Sequence, residues 1–249
     1  MARVLIAGES WTTTSIHVKG FDSFTTVEYS EGGGALIDAL ERTGHDVTFL
    51  PNHVAATAFP FTADELAAFD VVLLSDIGAN TLLVPPVVFS RGETRPNRLE
   101  LLRDWVHGGG GLGMVGGYLS FQGIEAKANY RSTVLAGVLP VEMELGDDRE
   151  ETPEGAHPSA VGSHLLTAGL GAAWPPLLGF QRVTARPGAE VVAEVKGHPL
   201  LVLGIAGDGR TAAYTTDIGP HWAPAAFTDW PGFGTLWDRI VRYLAGEGG

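Results

Sequence analysis

Short apolar runs alternate with amphipathic segments of helical period along the first half of the chain. The run Val71–Ser75, VVLLS, is almost wholly apolar, which is typical of a strand covered on both faces. Gly34–Arg42 instead places its apolar residues on one side of a helix. This alternation predicts a parallel sheet covered by helices. The predicted strands are Arg3–Ala7, Asp46–Leu50, Val71–Ser75 and Leu112–Val115, and the predicted helices are Gly34–Arg42, Thr62–Phe69 (capped by Thr62) and, capped by Asn97, the segment Asn97–His107.

The pattern after Tyr130 is less regular. Three strands are still predicted there, and the last two are joined by the turn Gly207-Asp208-Gly209. An amphipathic helix over about Gly234–Leu244 closes the chain. No stretch has the composition of a linker, so we expect a single domain over residues 1–249. The three strands are Glu190–Val195, Leu200–Ile205 and Thr211–Thr216.

The charge and the residue types limit the classes of partner. The 249 residues include 29 acidic and 16 basic side chains, which gives a net charge of −13. Such an acidic surface repels phosphate groups, so we expect neither nucleic acid nor a membrane as a partner. The chain has no cysteine, which excludes disulfides, thiolate metal sites and a cysteine nucleophile. The N-terminal apolar run is too short for a signal peptide, and the cytoplasm is the expected compartment.

Polar and aromatic residues follow four of the predicted strands. Ligands of open parallel sheets bind beyond the carboxyl ends of the strands, and parallel strands bring those ends to one edge. We therefore expect a pocket for a small molecule there, and no cofactor. The residues that this topology gathers are, in chain order, Glu9, Trp11, Asp76, Asn80, Tyr118, Asp217, His221 and Trp222.

Three functions are compatible with this set of residues. In an enzyme, Asp76 or Asp217 would pair with His221 as acid and base, with water as the nucleophile. In a binding protein, Trp11, Tyr118 and Trp222 would stack on a polar ring such as a sugar. Glu9, Asp76 and Asn80 would form hydrogen bonds with the same ligand. In an assembly protein, the pocket would be vestigial. Each residue also has a purely structural explanation, such as a turn cap for Asp76 or a packed side chain for His221.

Three other features of the sequence give weaker evidence of function. The acidic run at 147–151 resembles a cation site, but such runs are usually solvated loops. His17, His53 and Asp22 have no ligand spacing that we can match to a metal, so no metal is expected. The apolar, proline-bearing segment Leu82–Phe89 falls in a predicted loop, and its exposure would favour self-association, so we expect a homo-oligomer.

In the stretch GGGGLGMVGGYLSFQG, residues 108–123, the predicted buried strand Leu112–Val115 is followed by a glycine-rich turn. Many α/β enzymes hold a nucleophile on such a turn. Here the turn residues are Val115, Gly116 and Gly117, and none of them can attack a substrate.

Several longer stretches together resemble a known family: GESWTTTSIHVKGFDSF, LPNHVA, LSDIGANTLL, DDREETPEG and TTDIGPHW, with the region around 96–130. The chain is similar to the putative glutamine amidotransferase family of the class I amidotransferase-like superfamily, with trehalose-utilisation-type proteins as more distant relatives. The resemblance implies a flavodoxin-like α/β three-layer sandwich with a mainly parallel central sheet.

The resemblance also bears on the glycine-rich turn. Working amidotransferases carry G-x-C-x-G there, and over residues 113–117 it is Val115 that falls at the cysteine position, with a glycine there if the match shifts. The His-Pro-Glu of the family would fall near Thr215-Thr216-Asp217, where no histidine stands, although His221 follows shortly. We therefore expect no hydrolysis of glutamine through a covalent thioester.

Overall fold

The computed structural model describes residues 1–247, in which helices cover both faces of an eight-stranded sheet. The strands are β1 Arg3–Gly8, β2 Ser10–Lys19, β3 Asp22–Glu31, β4 Asp46–Pro51, β5 Val71–Ser75, β6 Gly111–Val115, β7 Val141–Met143, β8 Arg149–Ala156, β9 Pro158–Ala160, β10 Leu177–Gln181, β11 Val183–Ala185, β12 Glu190–Val195, β13 His198–Ala206 and β14 Gly209–Tyr214. The helices are α1 Gly34–Arg42, α2 Asn52–Ala58, α3 Ala63–Leu66, α4 Ala79–Leu83, α5 Pro86–Arg91, α6 Arg98–His107, α7 Ala225–Thr228 and α8 Pro231–Leu244.

The strands of the large sheet follow the order β4-β1-β5-β6-β14-β13-β12-β9. The first five run parallel, and β13, β12 and β9 extend the sheet in antiparallel pairs. Gly8 pairs with Ser75, Ser75 with Val115 and Val115 with Tyr214, so these four residues form one row across the sheet. The carboxyl ends of β1, β5, β6 and β14 therefore stop at the same level of one edge.

Alternation along the buried strands divides the core into two layers. In β1, Val4 and Ile6 face the layer that α1 and α8 cover, whereas Leu5 and Ala7 face the layer beneath α2, α4 and α6. Successive side chains of a strand point to opposite faces, and both faces of these strands are covered, which explains their continuous apolar runs. The sandwich expected from the pattern and from the resemblance is confirmed.

A buried arginine ties the helices of the second layer together. Arg98, the first residue of α6, donates hydrogen bonds to five backbone carbonyl groups of the segments 55–59 and 81–82. No carboxylate within residues 1–247 pairs with it, and burial lowers the pKa of the guanidinium to about 10. The carbonyl groups at the ends of two short helices are thereby satisfied without water.

Most predicted elements are present with small shifts of their ends. Thr62 caps α3 in a capping box with Glu65, and Asn97 caps α6 by accepting from the amides of Leu99 and Glu100. The helix predicted over Thr62–Phe69 is, however, only the single turn Ala63–Leu66. The C-terminal helix α8 begins at Pro231, earlier than expected. Proline is tolerated in the first turn because the amide protons there have no partner within the helix.

One hairpin was not predicted, and one loop prediction was wrong. The polar stretch after the first strand, for which no element was predicted, forms the long hairpin of β2 and β3, with Gly20 at positive φ in its turn. The segment Leu82–Phe89 holds the end of α4 and most of α5, with Leu82 buried in the core and Phe89 exposed. Small strand pairs in the middle of the chain, β7 with β11 and β8 with β10, were not predicted either.

Among the helices of residues 1–247, none has both the length and the hydrophobicity that crossing a bilayer requires.

Candidate functional site

Two acidic residues leave the central sheet in a strained backbone conformation. Glu9 follows β1 with φ +48°, and Asp76 follows β5 with φ +43°. Residues other than glycine rarely adopt positive φ, and such strain persists where the surrounding structure enforces it, often at functional sites. Asn52, the first residue of α2, holds this edge together because its side-chain amide donates to the carbonyl oxygens of Ser10 and Asp76.

A third carboxyl group joins these two after β14. Glu9, Asp76 and Asp217 are all buried, and we call them the carboxyl trio. Glu9 Oε2 accepts from the Ser75 hydroxyl, and Asp76 Oδ1 accepts from the Leu119 amide, each over 2.5 Å. Asp217 Oδ1 accepts from the two amides that follow it in the chain, over 2.7 and 3.0 Å. No basic side chain within residues 1–247 forms an ion pair with Glu9 or Asp76.

Two oxygens of the trio, one on Glu9 and one on Asp217, have no hydrogen-bond donor in the described part of the chain. Glu9 Oε1 and Asp217 Oδ2 are buried, and no hydrogen-bond donor among residues 1–247 reaches them. The two carboxyl groups interact directly with each other. Two carboxylates in such contact repel, whereas a carboxylate and a carboxylic acid can share one proton.

Burial and mutual repulsion set the protonation of the trio. Burial raises the pKa of Glu9 well above its usual value, and the charges of Asp217 and Asp76 raise it further. Burial, and then the charge of Asp76, raises the pKa of Asp217 to about 6. Burial also raises the pKa of Asp76, against the opposing effects of the Leu119 amide and of His221. We infer that the trio holds its protons more tightly than exposed carboxyl groups do.

An imidazole and two aromatic rings lie on the solvent side of the trio. His221 Nδ1 lies 3.8 Å from Asp217 Oδ2, and the His221 side chain is 36 % exposed. Its ring lies 4.6 Å from the centroid of the Trp11 ring and stacks on Tyr118 at 5.5 Å. The histidine therefore stands between two aromatic rings, with a buried carboxyl group behind it.

The other two predicted ligand-binding residues have different surroundings. Trp222 is buried, its indole N–H donates to Glu151 over 3.0 Å, and its ring contacts Tyr118 from behind. It therefore supports the aromatic wall. Asn80 is an exposed residue of α4, and no hydrogen bond joins its side chain to the carboxyl trio.

The glycine-rich turn after β6 packs tightly against the same site. A Cβ atom on Gly116 would lie 2.5 Å from both Gln181 Oε1 and the Thr215 carbonyl oxygen. Gly117 has φ +144°, and a Cβ atom there would lie 2.8 Å from the Asp76 Cβ. Glycine is required at both positions because no larger residue fits.

The family whose model is described as "Putative glutamine amidotransferase" (GATase1_like) matches residues 3–246. The chain belongs to this family. The cytoplasmic proteins STM3548 and STM1381 of Salmonella typhimurium have structures similar to it, with 45 % and 43 % identity and TM-scores of 0.95 and 0.94. Each alignment covers 97 % of this chain, and 98 % and 99 % of the Salmonella chains.

A ThuA-like protein from Parabacteroides merdae shares the fold at 13 % identity, with a TM-score of 0.57 over 98 % of this chain and 90 % of that protein. The search of curated proteins gives no match. The resemblance inferred from the sequence motifs is thereby confirmed.

The turn after β6 leaves no space for a side chain at Gly116. Val115 is buried as the last residue of β6, and the next position, Gly116, is closed by Gln181 and Thr215. The Gln181 amide also bonds to both backbone groups of Gly117. A side chain large enough to attack a substrate would displace this amide.

Three contributors to the site were missed in the sequence. Ser75 and Asn52 lie at the ends of predicted strands, so the rule that selected Glu9 and Asp76 could also have found them. Gln181 ends β10, in the part of the chain where the pattern predicted no strand. Nothing local in the sequence marks Gln181 as a partner of the turn after β6.

The acidic run at 147–151 serves the fold. Asp147 pairs with Arg149 over 2.9 Å, and Glu150 pairs with Arg182 and Lys196. Asp148 is buried and accepts from the amides of Gln122 and Gly123, while burial raises its pKa to about 6. No group of three histidine or acidic side chains within residues 1–247 is arranged to hold a metal ion.

Proposed function

We propose that this member of the amidotransferase-like family is an acid–base enzyme that hydrolyses a small, sugar-like molecule with water as the nucleophile, and that it is not a glutaminase. One observation carries the proposal: the partly exposed imidazole of His221 lies 3.8 Å from the buried carboxyl group of Asp217, whose pKa is raised to about 6. Perturbed carboxyl groups beside a histidine are typical of catalytic sites.

The carboxyl trio and His221 can move the protons that hydrolysis requires. His221 takes a proton from water as the water oxygen bonds to the substrate, and the imidazolium then returns a proton to the leaving group as its bond breaks. Asp217, once ionised, stabilises the imidazolium. The raised pKa of Glu9 favours its neutral form, which limits the negative charge behind Asp217.

The ligand class follows from the groups that surround His221. The rings of Trp11 and Tyr118 contact His221, and the carboxyl trio behind it holds two buried oxygens that lack a hydrogen-bond donor among residues 1–247. A molecule with several hydroxyl groups and one apolar face fits both features. The Salmonella relatives are described as cytoplasmic, and we propose the same compartment for this protein.

The test is a thermal-shift screen of the wild-type protein with sugars, sugar acids, nucleosides and amino acids, followed by mass spectrometry to detect turnover of each compound that binds. We expect a sugar-like compound to bind, and its hydrolysis to be lost in His221→Ala and Asp217→Asn. Lys127→Ala, which changes an exposed residue paired with Glu125, is the matched control and should keep full activity.

Two outcomes would contradict the proposal. Binding without turnover over a day would favour a binding protein with the same residues. Hydrolysis that survives His221→Ala would remove the imidazole from the reaction.

A further inference from the structure

The hairpin of β2 and β3, which we call the arm, stands clear of the rest of the molecule. Its strands pair with each other over ten residues each, from Ser10 with Glu31 to Lys19 with Asp22. Every residue from Thr12 to Tyr29 is exposed. At the rise of an antiparallel strand, the exposed part is about 27 Å long.

The two faces of the arm differ in chemistry. Residues paired across an antiparallel ladder share a face, so Ile16 lies with Thr25 and Val18 with Ser23. Together with Thr12, Thr14, Val27 and Tyr29, they form a face that carries no charged side chain between residues 12 and 29, which we call the uncharged face. Glu31 lies at the base of the same face, where it accepts from the Tyr29 hydroxyl. The opposite face carries Glu28, Lys19 and Asp22, and His17 stacked on Phe24.

The uncharged face is apolar and uncovered. Ile16, Val18 and Val27 are 72 %, 70 % and 67 % exposed, and Phe21 in the turn is fully exposed. An isolated two-stranded hairpin is at best marginally stable in water, and it needs packing on one face to persist. Apolar patches of this kind on a protein surface mark interaction sites.

We propose that the arm docks by its uncharged face on a second copy of this chain. Two chains of net charge −13 repel each other, so contact between them is least opposed where the surface carries no charge, as on the uncharged face. Together with Phe21 in the turn, this face presents about 800 Å² of exposed area, which is the share of one partner in an interface of standard size.

The chain also offers an apolar surface that the arm of a second copy can contact. Phe89 on α5 is 81 % exposed, and Val84 just before α5 is partly exposed. Tyr29, on the uncharged face, contacts His53 of α2, and α2 packs against α4, so the arm leaves the body on the side of this patch. In a twofold dimer each arm reaches the patch of the other copy, and every contact is made twice.

The experiment compares masses in solution by light scattering at 1–100 µM, a range chosen around the affinities of ordinary interfaces. The wild type is expected to have at least twice the mass of one chain. Ile16→Glu with Val27→Lys places an opposite-charge pair on the uncharged face and should raise the dissociation constant at least 100-fold. The control, Thr13→Lys with Ser15→Glu, makes the same charge changes on the other face and should keep the wild-type mass.

A second measurement does not disturb the arm. Since the chain has no cysteine, Ile16→Cys and Ser15→Cys each supply a single thiol for maleimide labelling on opposite faces. The thiol at position 16 should react at least tenfold more slowly at 100 µM protein than at 1 µM, whereas the thiol at position 15 should not change. A wild type that is monomeric at 100 µM, or equal labelling of both thiols at every concentration, would overturn the proposal.

Discussion

Replacing Asp217 with asparagine is expected to make the protein more stable at pH 8 while removing its proposed activity. The Asp217 carboxyl group is buried, its Oδ1 accepts from two backbone amides, and its Oδ2 lacks a donor within residues 1–247, while its charge raises the pKa of Glu9. An asparagine side chain can keep the Oδ1 contacts and place a neutral NH₂ group where Oδ2 stood, which removes this repulsion.

The magnitude follows from the raised pKa. Folding moves the pKa of Asp217 from 3.8 to about 6, so the folded protein holds this proton more tightly than the unfolded chain does. The corresponding contribution to stability is complete below pH 4 and is lost as the pH rises through 6. Two pKa units correspond to about 3 kcal/mol, which is a loss that the neutral asparagine does not suffer.

Thermal and urea unfolding of both proteins at pH 4.5 and pH 8 measure this effect. The variant should exceed the wild type by about 1–3 kcal/mol at pH 8, or several degrees in melting temperature, and the difference should shrink towards pH 4.5. Asp148→Asn is the control. The pKa of Asp148 is also raised to about 6, but both of its carboxylate oxygens accept hydrogen bonds from backbone amides. An asparagine there would lose one of these hydrogen bonds, so the variant should be less stable than the wild type. A less stable Asp217→Asn at pH 8 would refute the reasoning.

Three further predictions concern the turn, the chemistry and the core. Gly117→Ala should cost about 2 kcal/mol or more, because its Cβ atom would press on Asp76, whereas Gly109→Ala, also at positive φ but in open space, should cost about 1 kcal/mol in urea unfolding. The wild type should release ammonia from glutamine no faster than buffer does in a coupled assay, and release that Asp217→Asn abolishes would contradict this. Arg98→Met should lower the free energy of unfolding by about 3 kcal/mol, because five buried carbonyl groups lose their donor. The stability of Arg98→Lys should lie between those of the wild type and Arg98→Met. An Arg98→Met variant as stable as the wild type would show that water replaces the guanidinium.

The central sheet could be predicted because each of its strands carries its own signal. Val71–Ser75 was predicted with the right ends, since a strand buried on both faces is apolar throughout. The location of the carboxyl trio followed from the same elements, because parallel strands end at one edge. That Glu9 and Asp76 have no basic partner within residues 1–247, whereas Asp217 has His221, could not be predicted, since ion pairing depends on how side chains meet in the folded chain.

The arm and Gln181 escaped prediction for two different physical reasons. Alternation reveals a strand when one face is buried, but both faces of the arm are exposed, so its polar residues resembled a loop. The β-branched residues of TTTSIHV and the Gly20 turn were the remaining signal. Gln181 is brought to the turn by β10, which pairs with β8 across a register shift, and such long-range pairing has no local signature.

The register of the sheet supports the proposal that this protein is not a glutaminase. Gly8, Ser75 and Val115 form one row, so the residues that follow them, Glu9, Asp76 and Gly116, stand side by side at the next level. A nucleophile in the third position would lie beside two carboxyl groups, which would oppose the formation of a thiolate. Glycine there admits the Gln181 amide instead, and the two strained acidic residues can then approach Asp217. Glycine at position 116 and the close approach of the acidic residues thus depend on each other. A cysteine introduced there should not by itself give glutamine hydrolysis.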